Sequence, residues 1–168
     1  MIDYSKLQNG SDIRGVAVAT EGGSEVNLNK ETAGRITLAF CDLLSRKLGK
    51  KAEDLTITVG HDSRISGEEL KEGVLEALGD CGATGYDAGM ATTPAMFMST
   101  VMPEFDVDGS VMITASHLPF ERNGSGSRRR DCVQRTRCEQ LHACDKKRET
   151  DTPYLLAFFV RFWIFPYI

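Results

Sequence analysis

The chain has 168 residues, of which 41% are hydrophobic and 26% are charged, a composition typical of one soluble globular domain. Residues 1–124 carry 11 basic and 19 acidic side chains, whereas residues 125–150 carry 8 basic and 4 acidic ones. The acidic main part argues against general nucleic-acid binding. The first ten residues lack the basic and apolar regions of a secretory signal, and the five cysteines are an odd number. We therefore expect reduced thiols and a cytoplasmic location.

The first predicted elements alternate between strand and helix. The segment "DIRGVAVA" is rich in small and β-branched residues and predicts an extended segment. Asn29 is placed to cap a helix in "KETAGRITLAFCDLLSRKLG", whose apolar residues recur on one helical stripe before Gly49 ends it. The next segment, "LTITVG", is typical of a short buried strand.

The alternation continues along the chain. Ser66 and Glu69 predict a capping box at the start of a helix in "SGEELKEGVLEALGDCG". A strand is then predicted in "ATGYDAGM", a helix in "TTPAMFMSTVMPEF" with a threonine cap and Pro94 in its first turn, and a strand in "DGSVMITAS". This order predicts an α/β fold, a three-layer α/β/α domain with a mostly parallel mixed sheet, over residues 1–124. Ligands of such sheets bind at the carboxyl ends of the strands, near residues 60–62, 89–90 and 115–117.

Residues 125–168 are predicted to form an irregular or disordered tail. They show no sustained apolar period until the last 15 residues, "YLLAFFVRFWIFPYI". That run is shorter than the roughly 20 residues that span a bilayer, and Arg161 interrupts it, so no membrane contact is expected. A non-native sequence or a hydrophobic patch is the main interpretation, and a tail anchor is the alternative.

The cysteines are not predicted to bind metal. Cys132, Cys138, His142 and Cys144 are spaced unlike the usual zinc-ligand pairs, so no zinc site is expected. Cys41 and Cys81 fall in predicted helices and are interpreted as small core residues.

Four motifs occur in order: "GSDIRG", "VGHDSRISG", "ATTPAMF" and "MITASHLPFERNG". Together they resemble domain I of the α-D-phosphohexomutases, the phosphoglucomutase and phosphomannomutase enzymes. The serine loop "TASH-x-P" is the most specific of them, although Leu118 stands where asparagine is more usual. The resemblance covers residues 11–124.

The resemblance implies an isomerase that moves phosphate between positions 1 and 6 of a hexose through a phosphoserine. Ser116 would carry the phosphoryl group, Arg14 would face it, and His117 would lie near the reacting oxygens. Mg²⁺ would bind the phosphoserine oxygens, and a glucose 1,6-bisphosphate-type compound would act as activator. A serine on a turn after a strand fits this role, because its hydroxyl stands clear of the sheet and nearby backbone N–H groups can hold an anion. For Arg14, a surface salt bridge is the alternative.

Further residues are assigned to support of this site. His61, Asp62 and Arg64 are interpreted as a loop behind the serine loop, with a buried ion pair between Asp62 and Arg64 as an equal alternative. Thr114 and Asn123 are also assigned to support. Since Asn-Gly is a common turn dipeptide, a turn at residues 123–124 is predicted to close the serine loop. Thr93 and Pro94 are explained by the start of a helix.

The resemblance stops after Gly124. The next three residues, "SGS", replace the aromatic and basic residues that the family has there. A frameshift or a wrongly assigned intron would explain the altered charge and the loss of periodicity together. The family encloses its hexose phosphate between four domains, and the sequence contains no Asp-x-Asp-x-Asp metal loop. We therefore expect this chain to be inactive without domains II–IV. The alternatives are a non-catalytic sugar-phosphate-binding module and an interaction protein that uses its basic residues 125–150.

Overall fold

A computed structural model of the chain describes residues 4–9 and 12–125. Short 3₁₀ helices span Tyr4–Leu7 and Ala52–Asp54. The strands are β1 (Gln8–Asn9), β2 (Asp12–Val16), β3 (Thr56–His61), β4 (Thr84–Met90), β5 (Gly109–Ile113) and β6 (Arg122–Ser125). The helices are α1 (Lys30–Leu48), α2 (Gly67–Asp80) and α3 (Thr93–Ser99).

The strands form two three-stranded sheets. One sheet is parallel, in the order β4-β3-β5, and its register places His61 opposite both Met90 and Ile113. The other is antiparallel, in the order β1-β2-β6. The two sheets are linked where the Thr114 N–H donates to the Gly124 carbonyl at 2.7 Å. The predicted α/β fold with a parallel sheet and flanking helices is confirmed, and its antiparallel strands lie in the second sheet.

Helix α1 begins and ends as the sequence predicts. The Asn29 side-chain oxygen accepts a hydrogen bond from the Thr32 N–H at 2.9 Å, and Gly49 ends the helix with φ 65°, a left-handed conformation that favours glycine. The buried face of α1 includes Ile36, Phe40 and Leu44. Each such side chain contributes about 1.5–3 kcal/mol when it leaves water, so this face holds α1 in the core.

The capping box predicted at Ser66 is wrong. Ser66 precedes α2 with helical backbone angles, φ −78° and ψ −4°, and its side chain makes no capping hydrogen bond. Its hydroxyl instead accepts a hydrogen bond from the Asn123 amide at 3.0 Å. A tertiary partner has therefore replaced the local one.

Helix α3 is shorter than predicted. Thr92 caps it by accepting from the Ala95 N–H at 3.3 Å, and Pro94 lies in the first turn, as expected. The helix ends at Ser99, well before the end of the predicted run at Phe105. The segment after it contains two β-branched residues followed by Pro103, which disfavours helix in the residue before it.

The turn predicted at Asn123 and Gly124 is also wrong, because both residues lie in β6 and pair with β2. Gly124 lies opposite Arg14, and a Cβ at Gly124 would come within 2.4 Å of the Ile13 carbonyl oxygen. Glycine is needed here for the close approach of two strands.

Several predictions lie outside the described residues. They concern the irregular tail, the basic segment, the terminal apolar run and the four residues considered for zinc. Within residues 4–9 and 12–125, no helix is long and apolar enough to cross a membrane.

Candidate functional site

The serine loop lies at one edge of the parallel sheet. Strands β3, β4 and β5 run in the same direction and end together at His61, Met90 and Ile113. Ser116 follows the end of β5 and is exposed. Its φ of 56° is in the left-handed region, which costs a residue with a Cβ about 1–2 kcal/mol. The surrounding contacts must therefore hold this conformation.

The backbone of Ser116 is held on both sides. Its N–H donates to the Thr114 hydroxyl at 3.1 Å, and that hydroxyl donates to Asp62 Oδ2 at 2.6 Å. Its carbonyl accepts from Arg64 Nη2 at 2.9 Å. Since both backbone groups are engaged, the loop presents the Ser116 side chain from a fixed position.

The guanidinium of Arg64 organises the whole serine loop. Besides the Ser116 carbonyl, it donates to the carbonyls of Leu118 at 2.8 Å, Pro119 at 2.8 Å and Arg122 at 3.1 Å. Four backbone carbonyls therefore converge on one side chain. The planar guanidinium has five N–H donors in a fixed arrangement, which allows this set of contacts.

Asp62 orients Arg64 from behind. Asp62 Oδ2 accepts from Arg64 Nε at 3.3 Å, and Oδ1 accepts from the Arg64 backbone N–H at 3.1 Å. The structure thus contains an ion pair between Asp62 and Arg64, which is half-buried rather than buried, and a contact of Arg64 with the serine loop. Asp62 takes part in both, because it also accepts the hydrogen bond from the Thr114 hydroxyl in the serine loop. A support role of these residues in the reaction stays a prediction.

The other end of the loop is fixed by Asn123. This side chain is fully buried: its Nδ2 donates to the Ser66 hydroxyl at 3.0 Å and its Oδ1 accepts from the Gly124 N–H at 2.8 Å. Sequence reasoning assigned Ser66 only to a helix cap. The signal that could have found the role of Ser66 is Asn123 next to Gly124. When this pair lies in a strand rather than in a turn, the asparagine amide needs a partner elsewhere in the fold.

Arg14 lies on β2, next to the strand that ends the serine loop. It pairs with Gly124, whose carbonyl in turn accepts from the Thr114 N–H. Arg14 is half-buried. Because it pairs with Gly124, its backbone is linked to the serine loop through β6. Its predicted contact with a phosphoserine stays a prediction.

The two histidines have different surroundings. His117 is exposed, directly after Ser116. The buried His61 ring is turned toward α2, where Nε2 lies 3.0 Å from the Glu68 carboxylate, and Nδ1 lies 2.7 Å from the Asp62 carbonyl oxygen. The structure thus brings His117, but not the His61 ring, to the serine loop.

An ion-pair network lies next to His61. Lys71 on α2 contacts Glu68 at 2.7 Å and Asp87 of β4 at 2.8 Å. The hydrogen bond from Lys71 lowers the pKa of Asp87 below its usual value, and hydrogen bonds to Asp87 and Glu68 raise the pKa of Lys71. The Lys71–Asp87 pair joins α2 to the exposed strand β4.

Comparison with known proteins identifies the family. The profile described as phosphoglucomutase/phosphomannomutase, alpha/beta/alpha domain I, matches residues 5–129. The chain belongs to the phosphoglucomutase/phosphomannomutase family. The match extends a few residues past Gly124, where the recognisable motifs end.

Individual relatives agree with the family profile. A phosphoglucomutase/phosphomannomutase of Thermococcus kodakarensis is 38% identical over 71% of this chain and 24% of its own length. A phosphomannomutase of Escherichia coli is 35% identical over 58% of this chain and 19% of its own. A phosphoglucosamine mutase of Leifsonia xyli is 34% identical over 77% of this chain and 29% of its own.

A solved structure supports the same fold. A phosphoglucomutase/phosphomannomutase family protein from Burkholderia thailandensis superposes with a TM-score of 0.59 and 28% identity, over 74% of this chain and 26% of that one. This chain therefore spans between about a fifth and about three tenths of the length of these phosphohexomutase relatives.

The described part of this phosphohexomutase domain does not fit a complete magnesium site. Among its residues, no group of three or more His, Cys, Asp and Glu side chains could hold a metal ion. Asp62, the carboxylate that contacts Thr114, already accepts hydrogen bonds from Thr114 and Arg64. The predicted role of Ser116 as a metal ligand through its phosphate stays a prediction.

Proposed function

We propose that this chain is the phosphoserine-carrying domain of a phosphohexomutase and that Ser116 Oγ holds the transferred phosphoryl group. The supporting observation is the exposed Ser116 in a left-handed conformation, held at its N–H by Thr114 and at its carbonyl by Arg64. A serine fixed in this way needs little reorganisation before it reacts. Positioning and charge neutralisation supply most of the catalysis in phosphoryl transfer.

The proposed reaction exchanges phosphate between a hexose and Ser116. A hydroxyl oxygen of the hexose phosphate attacks the phosphorus on Ser116, and the new O–P bond forms as the Ser116 Oγ–P bond breaks. The proton of the attacking hydroxyl passes through His117, which is exposed beside the loop, to the departing serine oxygen. In the second half of the reaction, Ser116 Oγ attacks the other phosphorus of the hexose bisphosphate, and the new Oγ–P bond forms as that sugar O–P bond breaks. The serine proton passes back through His117 to the departing sugar oxygen.

Arg14 is proposed to neutralise the phosphoryl oxygens. Its backbone lies opposite Gly124, at the end of the segment that Arg64 and Asn123 hold in place. A guanidinium provides paired donors for phosphate oxygens. Thr114, Asp62, Arg64 and Asn123 act as positioning residues, because their contacts are with the loop backbone, with one another and, for Asn123, with Ser66.

The chain alone is proposed to accept phosphate without completing the mutase cycle. Its relatives are several times longer, and domains II–IV are the proposed partners that close around the hexose phosphate. A glucose 1,6-bisphosphate-type activator would then phosphorylate Ser116 once. Reduced thiols and a cytoplasmic location are proposed together with this function.

The test is phosphorylation of the full 168-residue chain by glucose 1,6-bisphosphate, followed by intact-mass measurement and peptide mapping. We expect the mass of one phosphoryl group on Ser116, lost in Ser116→Ala and kept in Ser24→Ala, a matched change at another exposed serine. No phosphorylation, or phosphorylation at another residue, would contradict the role of Ser116. Appreciable turnover of glucose 1-phosphate by this chain alone would contradict the need for further domains.

A further inference from the structure

Arg122, near the end of the serine loop, carries a buried hydrogen-bond donor that the fold does not use. Its backbone serves the loop: the N–H donates to the Pro119 carbonyl at 3.1 Å, and the carbonyl accepts from Arg64 Nη1 at 3.1 Å. Its side-chain Nε, in contrast, is buried, and among the described residues it has no hydrogen-bond partner. A buried donor left in this way is destabilising, so its presence indicates a role beyond the fold.

Arg122 and Arg14 are neighbours on one face of the antiparallel sheet. Arg122 lies opposite Val16, and Gly124 lies opposite Arg14. Residues opposite each other, and residues two apart along a strand, share a face, so the two arginines are diagonal neighbours about 7 Å apart. The Arg14 side chain lies across β6 at this point, since its Cγ is 2.7 Å from the position that a Cβ on Gly124 would take. One face next to the serine loop thus carries two guanidinium groups.

The backbone of Arg122 is also held close to that of Ser116. The two carbonyl oxygens accept hydrogen bonds from the two terminal nitrogens of one guanidinium, that of Arg64, at 3.1 and 2.9 Å. The exposed Ser116 side chain is therefore within reach of the long Arg122 side chain. A phosphoryl group on Ser116 would present three acceptor oxygens and close to two negative charges, which suits donors from two guanidinium groups.

We propose that Arg122 is a phosphate-binding residue that holds the phosphoryl group of Ser116 together with Arg14. The identity of this ligand rests on the proposed function, whereas binding of a phosphate ion at Arg122 does not. Arg64 cannot take this role, because its five N–H donors already meet Asp62 and four loop carbonyls. The buried Nε of Arg122 gains its acceptor when the phosphoryl group is in place.

The test is thermal unfolding of the full 168-residue chain, without phosphate on Ser116, in phosphate-free buffer and in inorganic phosphate at equal ionic strength. A ligand that binds only the folded chain stabilises it, so we expect phosphate to raise the melting temperature by about 3 °C or more. Arg122→Met should lose about half of this rise or more, and Arg122→Lys, which keeps the charge without the planar donors, should lose less. Arg46→Met, the matched change at an exposed arginine of α1, should keep the full rise.

The same variants separate a binding role from a structural one. In phosphate-free buffer, Arg122→Met should be as stable as the unmodified chain or more stable, because it no longer buries an unsatisfied donor. A lower melting temperature of Arg122→Met in that buffer would contradict the proposal, since the guanidinium would then serve the fold itself. A phosphate-dependent rise in Arg122→Met equal to that of the unmodified chain, or no rise in the unmodified chain, would overturn it as well.

Substitutions of serine show whether the bound phosphate lies at Ser116. Ser116→Asp places a carboxylate near the position of the phosphoryl group, so it should remove most of the rise, whereas Ser24→Asp, at another exposed serine, should leave it. An unchanged rise in Ser116→Asp would overturn the assignment of Arg122 to the phosphoserine.

These measurements can fail separately from the proposed function. If phosphate stabilises the chain through Arg122 but glucose 1,6-bisphosphate leaves Ser116 unmodified, the proposed function is wrong and Arg122 is a binding residue for free phosphate only. If Ser116 is phosphorylated but Arg122→Met keeps the full phosphate-dependent rise, the proposed function stands and the role of Arg122 is wrong.

Discussion

The side-chain amide of Asn123 donates a hydrogen bond to the hydroxyl of Ser66 at 3.0 Å, across 57 positions of the sequence. Both side chains are buried, so neither can exchange its partner for water. The bond joins β6, at the end of the serine loop, to the start of α2. The loop is thus fixed to a helix as well as to the antiparallel sheet, and loss of either side chain leaves a buried polar group unsatisfied.

This bond can be measured with a double-mutant cycle. We expect Ser66→Ala and Asn123→Ala each to lower the free energy of unfolding by about 1–3 kcal/mol, and the double variant to lower it by about 1 kcal/mol less than the sum. Urea unfolding followed by circular dichroism measures all four proteins. Ser24→Ala, at an exposed serine, should change stability by less than about 0.5 kcal/mol. Strictly additive single effects would show that the bond contributes nothing.

Arg64→Lys should loosen the serine loop although it keeps the charge. A lysine ammonium has three donors and no planar arrangement, so it cannot serve the four carbonyls of residues 116, 118, 119 and 122 and Asp62 together. We expect a loss of about 2–4 kcal/mol in unfolding free energy and a slower phosphorylation of Ser116.

The matched control for Arg64 is Arg46→Lys. Arg46 pairs with Asp42 one turn earlier on the surface of α1, and such exposed pairs contribute about 0.3–0.5 kcal/mol. We expect little change in stability and none in phosphorylation. If the two substitutions lower the unfolding free energy equally, the loop contacts of Arg64 contribute no more to stability than an exposed ion pair does.

Local signals in the sequence predicted the helix ends and the parallel strands of the domain, but they did not predict the contacts that fix the serine loop. The cap at Asn29, the stop at Gly49 and the parallel order of the strands depend on short-range patterns, which the sequence displays directly. Ser66 and Asn123 satisfied local rules for a capping box and a turn. Their actual partners come from distant segments, and a local rule cannot weigh a tertiary hydrogen bond against a local one.

The close approach of β6 to β2 can be tested with Gly124→Ala. The added Cβ would lie 2.4 Å from the Ile13 carbonyl oxygen and 2.6 Å from Arg14 Cα, so one of the two strands must shift. We expect a loss of about 2–3 kcal/mol in unfolding free energy. Gly79→Ala is the control: that glycine lies in α2 with no atom within 4 Å of the new Cβ, and the change should stabilise by about 0.5–1 kcal/mol. Unchanged stability of Gly124→Ala would contradict the strand pairing.

The Lys71–Asp87 pair should give a specific pH dependence of stability. The pKa of Asp87 is lower in the folded chain than its usual value of 3.8, so its contribution is complete above that value and is lost as the pH falls through the lower, folded pKa. The pKa of Lys71 is raised above 10.5, so its contribution is lost as the pH rises beyond that value. Asp87→Asn should remove the acid limb and reduce the alkaline one, of which the Lys71–Glu68 contact keeps a part. Because the Asp87 side chain is 43% exposed, each change stays below about 1 kcal/mol.

The left-handed conformation of Ser116 predicts an unusual order of stability among its variants. Ser116→Ala keeps a Cβ at φ 56°, whereas Ser116→Gly removes it, so we expect the glycine variant to be about 1 kcal/mol more stable than the alanine variant. At Ser45, within α1, the order should be the reverse, because glycine is about 1 kcal/mol less favourable than alanine in a helix. Neither variant at position 116 should accept phosphate. If alanine is the more stable residue at both positions, the loop does not hold residue 116 in the left-handed region, and the presentation of its hydroxyl has another cause.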